Sequence, residues 1–375
     1  MVSEFPEGAG RRGAPVVSVI IPARNEEASL GACLQSLVGQ RGVEHEIIVV
    51  DDGSADRTRE IAQSFAGVRV IEADPLPPGS TGKSNALACG ARVARGRWLL
   101  FTDADTVHLP GSLAASLQEA QQHQAALLSY SPRQEVHGFW EKAVMPVVFA
   151  ELTSTYRTED INNPASSAAA ANGQYLLIAR EAYDAVGGHA AVIRSLLEDV
   201  ELARAVKQTG RGIRFRYGGD RVRARMYRNF AHMREGWTKN LALLFESPVR
   251  LAVLRGAEFA LITAGALIVG AAAFRKEPAI AAAAGAIAAT TYGLFLRRIR
   301  RAHFAWDANL LALFGLPVFV SLLLASQLSH KQGSVTWKGR TYGAASPAGS
   351  AADVGRSTGL PADSHKNGAT VPGGI

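Results

Sequence analysis

Cysteine is scarce in this sequence of 375 residues, which contains Cys33 and Cys89 alone. Both lie next to apolar residues in segments that we predict to be helical, so buried free thiols are a better interpretation than a disulfide or a metal site. Free thiols are typical of proteins in a reducing compartment such as the cytoplasm. Residues 1–15 also lack the apolar core of a secretory signal peptide, and their glycine, proline and charged residues predict a disordered segment.

Charge is nearly absent from three stretches beyond residue 250, which are residues 253–274, 279–296 and 310–328. Each is close to the length of a bilayer span, and a buried helix of a soluble protein is seldom so uniformly apolar. The first stretch carries Arg255 and Glu258 near its start. We therefore predict a transmembrane region at residues 251–330 with about three helices, and two spans plus one interfacial helix as the alternative.

A basic cluster follows the second stretch at residues 297–301. Positive charge concentrates on the cytoplasmic side of membrane helices, so an out-and-back pair of spans places this cluster and the preceding domain in the cytoplasm. We predict a multi-pass protein of the cell (inner) membrane. A third span would export the residues that follow it, although the segment 331–375 begins with basic residues before it becomes a tail predicted to be disordered. Pro317 offers a break at which the third stretch could turn back.

The chain carries a formal net charge of +7 and has a pI near 9.6. An excess of Lys and Arg can neutralise the phosphates of a nucleic acid. Here much of the excess flanks the apolar stretches, where membrane orientation accounts for it. We expect no nucleic-acid partner.

Between residues 16 and 225, short apolar runs alternate with amphipathic segments, a pattern typical of a mostly parallel sheet covered by helices. The predicted strands are residues 17–22, 47–51, 68–71, 98–102, 126–129, 175–179 and 213–217. The predicted helices are residues 28–38, 56–65, 83–94, 110–123 and 198–209. We therefore predict an α/β domain that is followed by membrane helices.

Two segments fit this alternation less well. Residues 131–172 contain several Pro, Asn and Ser residues, which predict loops around the apolar segment 143–152 and an insertion that faces a second substrate. Residues 226–250 carry aromatic and apolar residues at helical spacing with basic residues between them. This pattern favours an interfacial amphipathic helix, and a helix of the protein core is the alternative.

The run Asp51-Asp52-Gly53-Ser54 ends the second predicted strand. Open parallel sheets bind ligands beyond the carboxyl ends of their strands, and a carboxylate there can accept hydrogen bonds from a nucleoside. Asp, Gly and Ser are also the residues of an ordinary turn, so a capped turn is the alternative.

Asp103 and Asp105 follow the fourth predicted strand. Residues two apart in extended chain point to one side, so both carboxylates can face the same pocket. Two hard oxygen ligands and a diphosphate suit Mg²⁺ or Mn²⁺, whereas a capped helix start is the alternative. His108 is a weaker candidate ligand, because a lone histidine is more often a loop residue.

Lys83 stands in a run that resembles a phosphate-binding loop, but the required glycine is replaced by Pro77. The lysine still begins a predicted helix, where backbone N–H groups favour anions, so a diphosphate contact competes with a plain surface role. Glu198 and Asp199 open another predicted helix. One carboxylate held near an attacking hydroxyl suffices as a general base, and helix capping by Asp199 is the alternative.

An acceptor pocket could be framed by polar and aromatic residues from three further segments. The candidates are Gln174, His189 and Trp237. Gln174 and His189 each follow one or two glycines, so structural turns explain those segments equally well.

Taken together, these motifs resemble family 2 glycosyltransferases of the GT-A fold, from residue 17 to about residue 240. The motifs are, in chain order, Ile21-Pro22-Ala23-Arg24-Asn25-Glu26-Glu27, Asp51-Asp52-Gly53-Ser54, Gly82-Lys83-Ser84-Asn85-Ala86-Leu87, Asp103-Ala104-Asp105 and Glu198-Asp199. The resemblance implies a nucleotide-sugar-binding domain that takes a UDP- or GDP-linked donor.

The resemblance also implies roles for individual residues. It gives nucleoside binding to Asp52, metal and diphosphate binding to Asp103 with Asp105, and the role of catalytic base to Asp199, beside Glu198. The remaining donor contacts implied are Pro22, Asn25, Glu26 and Lys83. The expected cofactor is Mg²⁺ or Mn²⁺.

The segments 235–240 and 337–342 look like those of the subgroup that contains carotenoid- and hopanoid-associated glycosyltransferases. That subgroup implies a lipid-like or membrane-proximal acceptor. With Asp199 as the base, we expect a single displacement that inverts the anomeric centre. The Q-x-x-R-W motif of processive synthases is absent before the first apolar stretch, which favours a single transfer. Two alternatives stay open: a polyprenyl-phosphate sugar synthase and an inactive membrane scaffold.

Overall fold

The structure, a computed structural model, describes residues 15–342. The predictions of disorder for residues 1–14 and 343–375 therefore lie outside the described residues. All strands and helices below belong to the described part of the chain.

The main sheet contains the strands that the apolar runs predict. In the described residues the strands are β1 Val17–Ala23, β2 His45–Asp51, β3 Val68–Glu72, β4 Trp98–Phe101, β5 Thr106–His108, β6 Ala125–Ser131, β7 Arg133–Gln134, β8 Leu176–Ala179, β9 Gly212–Tyr217, β10 Val222–Ala224, β11 Val335–Trp337 and β12 Arg340–Tyr342. The order in the main sheet is β3-β2-β1-β4-β8-β6-β9. β8 runs antiparallel to both of its neighbours and the other pairs are parallel. The predicted mostly parallel sheet is thus confirmed.

Both faces of this sheet are buried, which explains why its strands are apolar at nearly every position. Along β1, Ile20 faces one core cluster while Val19 and Ile21 face the other. Several of the helices from the first 210 residues cover the two faces. The helices of this part of the chain are α1 Leu30–Val38, α2 Thr58–Gln63, α3 Gly82–Val93, α4 Ser112–Gln122, α5 Phe139–Thr155, α6 Thr158–Asn162, α7 Arg180–Ala185, α8 Gly188–Ala191 and α9 Glu198–Gln208.

The apolar segment 143–152, around which the sequence predicts loops, lies in a long helix, α5, which also extends into the predicted loops at residues 139–142 and 153–155. Its residues from Ala143 to Glu151 are all buried, so the segment lacks the one-sided pattern by which a helix is recognised. Pro146 lies inside the helix and adds a signal against it. Two further small sheets, β5-β10-β7 and β11-β12, were not predicted.

The remaining helices are α10 Phe230–Leu244, α11 Pro248–Phe274, α12 Pro278–Ile299 and α13 Trp306–Gln332, with a short 3₁₀ turn at Arg300–Ala302. Three of them are long and apolar enough to cross a membrane. α12 is the least buried of these three and α13 the most. The predicted set of three long apolar helices after the α/β domain is thus present.

α13 differs from the other two apolar helices because protein covers one of its sides along its whole length. Near its start, Lys142 of α5 pairs with Asp307 at 2.6 Å. In its middle, Gly315 lies so close to the backbone of Ala143 that a β-carbon would collide with it. Near its end, a ring nitrogen of His330 lies 2.7 Å from the carbonyl oxygen of Lys239 in α10. Both ends of α13 therefore lie on the α/β domain.

Candidate active site

A cavity of about 870 Å³ opens beyond the carboxyl ends of β1, β2 and β4. Among its lining residues are most of the site residues predicted from the sequence, namely Pro22, Asn25, Glu26, Asp52, Lys83, Asp103, Asp105, Gln174, Glu198, Asp199 and Trp237. Side chains that lie up to about two hundred residues apart in the sequence thus share one space. The position agrees with the rule that parallel sheets bind ligands at this edge.

The two aspartates that end β2 have different surroundings. Asp51 is buried, and its Oδ1 accepts a hydrogen bond of 3.2 Å from the backbone N–H of Ser54, as in an ordinary capped turn. Asp52 lines the cavity and forms an ion pair with Arg340. The sequence left a turn and a ligand site as alternatives for this pair. In the structure Asp51 caps the turn and Asp52 lines the cavity.

The loop after β1 is tied to the loop after β2. Asn25 has a left-handed backbone with φ of 53°, and its Oδ1 accepts a hydrogen bond of 2.8 Å from the N–H of Ala55. The N–H of Glu26 donates to the hydroxyl of Thr58 at 2.7 Å. Asparagine tolerates this backbone region better than most residues. These bonds fix the Glu26 carboxylate at the cavity wall.

Lys83 lies in the first turn of α3, and Thr81 caps this helix by accepting a hydrogen bond from the N–H of Ser84. The ammonium group of Lys83 lies 2.8 Å from Asp103 and 3.1 Å from Glu198. Burial opposes the charge on Lys83, but the two carboxylates outweigh it and hold its pKa well above the usual range. Lys83 therefore bridges Asp103, a predicted metal ligand, and Glu198, the neighbour of the predicted base Asp199.

The surroundings of Asp103 and Asp105 favour a bound cation. Asp105 Oδ1 is buried and has no hydrogen-bond partner. Burial, with the nearby carboxylates of Asp103 and Glu26, raises the pKa of Asp105 to about 7. Within residues 15–342 no cluster of three or more candidate metal ligands occurs, so this pair would supply only part of a coordination sphere. Carboxylate oxygens are the ligands that Mg²⁺ and Mn²⁺ prefer.

Glu198 and Asp199 open α9 and differ in their partners. Burial disfavours the charge of Glu198, but Lys83 and Lys239 lower its pKa below the usual value. Burial, and next the neighbouring carboxylate of Glu198, raise the pKa of Asp199 to about 6. Asp199 accepts a 2.7 Å hydrogen bond from the N–H of Gly173, which holds its carboxylate toward the cavity.

Two histidines considered from the sequence do not reach the cavity. His189 is buried, with its ring 4.4 Å from that of Phe101 and its Nδ1 3.1 Å from the Tyr183 hydroxyl. The acceptor role predicted for His189 therefore does not fit its position. His108 lies beneath the sheet edge with its Nε2 near Thr102, and burial lowers its pKa to about 3.

One wall of the cavity is apolar. Phe149 and Leu152 of α5 and Leu244 of α10 line it, together with Ala302 of the 3₁₀ turn. The predicted insertion at residues 131–172 supplies much of this wall, although as a helix. The apolar wall lies where α11 and α12 join the α/β domain, since α5 contacts the 3₁₀ turn and α12.

Sequence reasoning noted residues 337–342 as part of a family resemblance but did not predict that they line the cavity. The hairpin β11–β12 follows α13, and its residues Trp337, Lys338, Arg340 and Tyr342 line the cavity. Lys338 and Gly339 both have positive φ, of 47° and 75°. A two-residue hairpin turn with positive φ at both positions favours Asn-Gly or Asp-Gly, so Lys338-Gly339 gives only the glycine part of that signal in the sequence.

The fold and the site define a class of protein. Residues 18–199 match the sequence model of Glycosyl transferase family 2. This part of the chain matches the family 2 glycosyltransferases, and the resemblance seen in the motifs is confirmed.

A named relative is the 4,4'-diaponeurosporenoate glycosyltransferase of Staphylococcus aureus (strain USA300), 32% identical over 234 residues, which cover 60% of each chain. The chain thus spans about 60% of the length of the curated relatives it matches. Among solved structures, it is similar to the mannosyltransferase PcManGT from Pyrobaculum calidifontis in complex with GDP-Man and Mn²⁺, with a TM-score of 0.48 and 18% identity over 84% of this chain and 87% of that one. It is also similar to glucosyl-3-phosphoglycerate synthase from Mycobacterium tuberculosis in complex with Mn²⁺, UDP and glucosyl-3-phosphoglycerate, with a TM-score of 0.41 and 22% identity over 61% of this chain and 78% of that one.

Proposed function

We propose that this protein transfers a sugar from a UDP- or GDP-linked donor to a hydroxyl group of a lipid-like or membrane-proximal acceptor. The observation that carries the proposal is the single cavity, in which a cluster of carboxylates and Lys83 faces an apolar wall beside the long apolar helices. The match to family 2 glycosyltransferases supports a nucleotide-sugar donor. The relative named as a 4,4'-diaponeurosporenoate glycosyltransferase supports an acceptor with a large apolar part.

The donor would lie at the ends of β1, β2 and β4. Asp52 accepts hydrogen bonds from the nucleoside, and the loop with Pro22, Asn25 and Glu26 forms the adjacent wall. Lys83, in the first turn of α3, contacts the diphosphate, because both its charge and the helix N-terminus favour an anion. Asp103 and Asp105 would hold Mg²⁺ or Mn²⁺, which neutralises charge on a leaving diphosphate.

Asp199 is the residue best placed to act as the base. The acceptor hydroxyl gives its proton to the Asp199 carboxylate while its oxygen bonds to the anomeric carbon, and the bond from that carbon to the diphosphate breaks. This single displacement inverts the anomeric centre and leaves a free nucleoside diphosphate. Asp199 suits the role because its pKa of about 6 lies closer to neutrality than that of an ordinary aspartate. Glu198, paired with Lys83, holds the lysine between the two halves of the cavity.

A hydroxyl acceptor fits the site better than a phosphorylated one. The arginines that would favour a phosphate, Arg223 and Arg225, lie 3.8 Å and 3.7 Å from Glu135 and Glu141. Gln174 and Trp237 line the cavity and would contact the acceptor.

The membrane arrangement is part of the proposal. We place α11 and α12 across the cell (inner) membrane as a hairpin, with the α/β domain and the basic cluster 297–301 in the cytoplasm, as the distribution of positive charge favours. α13, covered on one side by α5 and α10, lies along the cytoplasmic membrane surface. The C-terminal hairpin then stays on the same side as the cavity that it lines.

The test is transfer of radiolabel from a panel of UDP- and GDP-sugars into membrane lipid extract by the purified protein with Mg²⁺ or Mn²⁺. We expect metal-dependent labelling that Asp199→Asn abolishes and that Asp160→Asn, an exposed aspartate away from the cavity, leaves intact. The lipid class that takes the label identifies the acceptor. An absence of labelling with every donor, from a folded protein that binds nucleotide, would overturn the proposed reaction and favour the scaffold alternative.

A further inference from the structure

We propose that Arg340, in the hairpin after the last apolar helix, is a donor-binding residue that contacts the nucleotide together with Asp52. The inference rests on the proposed function and extends it, because it assigns part of the donor site to a segment far outside residues 18–199, which match family 2 glycosyltransferases.

The hairpin is held firmly where it lies. The Trp337 ring stacks on that of His232 of α10, with centroids 5.3 Å apart and an angle of 17° between the planes. The ammonium group of Lys239 lies 5.0 Å from the centre of the same Trp337 ring. Lys338 donates a 2.9 Å hydrogen bond to the carbonyl oxygen of Arg24 and forms an ion pair with Glu26. Contacts to α10 and to the loop after β1 therefore fix the turn at the cavity rim.

The guanidinium of Arg340 donates two hydrogen bonds to the carboxylate of Asp52. The bond from Nη2 to Oδ1 measures 3.0 Å. A two-bond contact of this kind fixes the plane of the guanidinium. A guanidinium has further N–H donors beyond those two, and Arg340 and Asp52 both line the cavity. A ligand that reaches Asp52 therefore meets Arg340 as well.

The surroundings of Arg340 favour an anion. Its guanidinium lies against Gly82 at the start of α3, in the space that a β-carbon on this glycine would fill. The N-terminus of a helix carries partial positive charge, so a cation there is favourable only where negative charge lies nearby. Asp52 supplies one such charge, and Lys83 adds a further positive group in the same turn. Lys83 and Arg340 are both ion-paired with carboxylates here, and the diphosphate of a nucleotide sugar would share their remaining N–H donors.

The hairpin also removes an obstacle to donor binding. A nucleotide sugar carries negative charge on its diphosphate, and without the hairpin it would approach Asp52 and Glu26 as unpaired carboxylates. Arg340 and Lys338 neutralise these two groups directly. Loss of Arg340 therefore removes a hydrogen-bond donor and restores a repulsive charge at the same time.

The experiment measures the dissociation constants of UDP and GDP for the full-length protein in detergent with Mn²⁺, by calorimetry. We expect Arg340→Ala to weaken the nucleotide that the wild type binds by about tenfold or more, as for the loss of a charged hydrogen bond. Arg340→Lys keeps the charge and should restore part of the affinity. Arg59→Ala is the matched control, because Arg59 is ion-paired with Glu72 on the exposed surface.

A second measurement does not depend on a variant that folds. Amide hydrogen exchange of residues 335–342 in the wild type should slow when the nucleotide is added. This inference would be overturned if folded Arg340→Ala bound the nucleotide as tightly as the wild type or more tightly. It would also be overturned if bound nucleotide left the amide hydrogen exchange of the hairpin unchanged. Either result leaves the proposed reaction standing. Failure of the wild type to bind either nucleotide would instead count against the proposed function itself.

Discussion

Glu198 and Asp199 are neighbours in the chain, but their carboxylates meet different charges. Glu198 lies 3.1 Å from the ammonium group of Lys83, which keeps it ionised despite its burial. Asp199 has backbone N–H groups as its hydrogen-bond partners, and burial next to a second carboxylate makes it hold its proton more tightly. Glu198 thus carries a fixed negative charge, whereas its neighbour Asp199 can exchange a proton.

The pKa of Asp199 predicts the pH dependence of transfer. A base must be ionised to accept a proton, so kcat/KM should fall roughly tenfold per pH unit below about pH 6 and level off above it. The measurement is kcat/KM against pH at saturating Mn²⁺, which keeps changes in metal binding out of the profile. A rate that stays constant as the pH falls from about 7 to about 5 would show that Asp199 is not the base.

Asp105 gives a second prediction at the scale of one residue. Asp105→Asn removes a charge from the proposed metal site while it preserves shape, so transfer should fall by roughly 10²-fold or more, as for the loss of a preorganised electrostatic contact. Binding of Mn²⁺ in the presence of UDP, measured by calorimetry, should weaken in parallel. Equal activity and equal metal affinity in wild type and variant would remove Asp105 from the metal site.

At the scale of elements, the base of the α11–α12 hairpin is joined to α5 by a group of alternating charges. Arg255 lies 2.9 Å from Glu151, and Arg298 lies 3.0 Å from Glu151 and 2.6 Å from Glu258. These side chains are mostly buried and their charges balance. The interaction explains how Arg255 and Glu258 can stand in an apolar helix, because each has a partner of opposite sign.

Removal of one member of this group should be costly. Arg298→Ala leaves buried Glu151 and Glu258 with less positive charge, and we expect a loss of about 3–5 kcal/mol of stability. Thermal unfolding of the purified protein in detergent would detect it. Arg297→Ala, the exposed neighbour on the same helix, is the matched control and should change little. Similar melting temperatures for both variants would mean that the buried charges do not hold the hairpin.

At the scale of the whole molecule, the position of the C-terminal hairpin bears on membrane topology. Its residues line the same cavity as the residues that match family 2, so both must lie on one side of the membrane. An odd number of crossings between them would separate them. The proposed arrangement, in which α11 and α12 cross and α13 lies along the surface, satisfies this requirement and agrees with the basic residues after the third apolar stretch.

Labelling of introduced cysteines can test this topology, since the native Cys33 and Cys89 are buried. Lys276→Cys, between α11 and α12, should react with a membrane-impermeant maleimide added outside spheroplasts. Lys331→Cys, at the end of α13, should react only after the membrane is opened. Both lysines are exposed, so access to solvent within the protein is matched. Labelling of Lys331→Cys from outside would show that α13 crosses the membrane.

Much of this architecture can be predicted from the sequence, because its signals are local. The strands of the main sheet are short runs of β-branched residues such as Val17 to Ile21, buried on both faces. The carboxylates of the cavity follow those strands directly. Once the strands are known to be parallel, the rule that their carboxyl ends share an edge brings Asp52 and Asp103 together.

What escaped prediction depends on contacts between distant residues. Helix α5 is buried on all sides, so it shows no apolar stripe. His189 stands beside glycines in a way that suggests a pocket, yet the packing of Phe101 and Tyr183 around it decides its place. The turn at Lys338 and Gly339 is only partly signalled in the sequence, and its position beside Asp52 is a property of the folded molecule.

The bond between Arg340 and Asp52 joins residues 288 positions apart, and in the proposed arrangement two membrane-spanning helices are made between them. During synthesis, the ribosome delivers Asp52 long before Arg340. A nascent chain therefore has an open donor pocket while α11 and α12 are being inserted into the bilayer. On this arrangement, full affinity for the sugar nucleotide is acquired only after translation has passed the membrane segment. Under the proposed function, a chain released before residue 340 would bind its donor poorly and transfer little sugar.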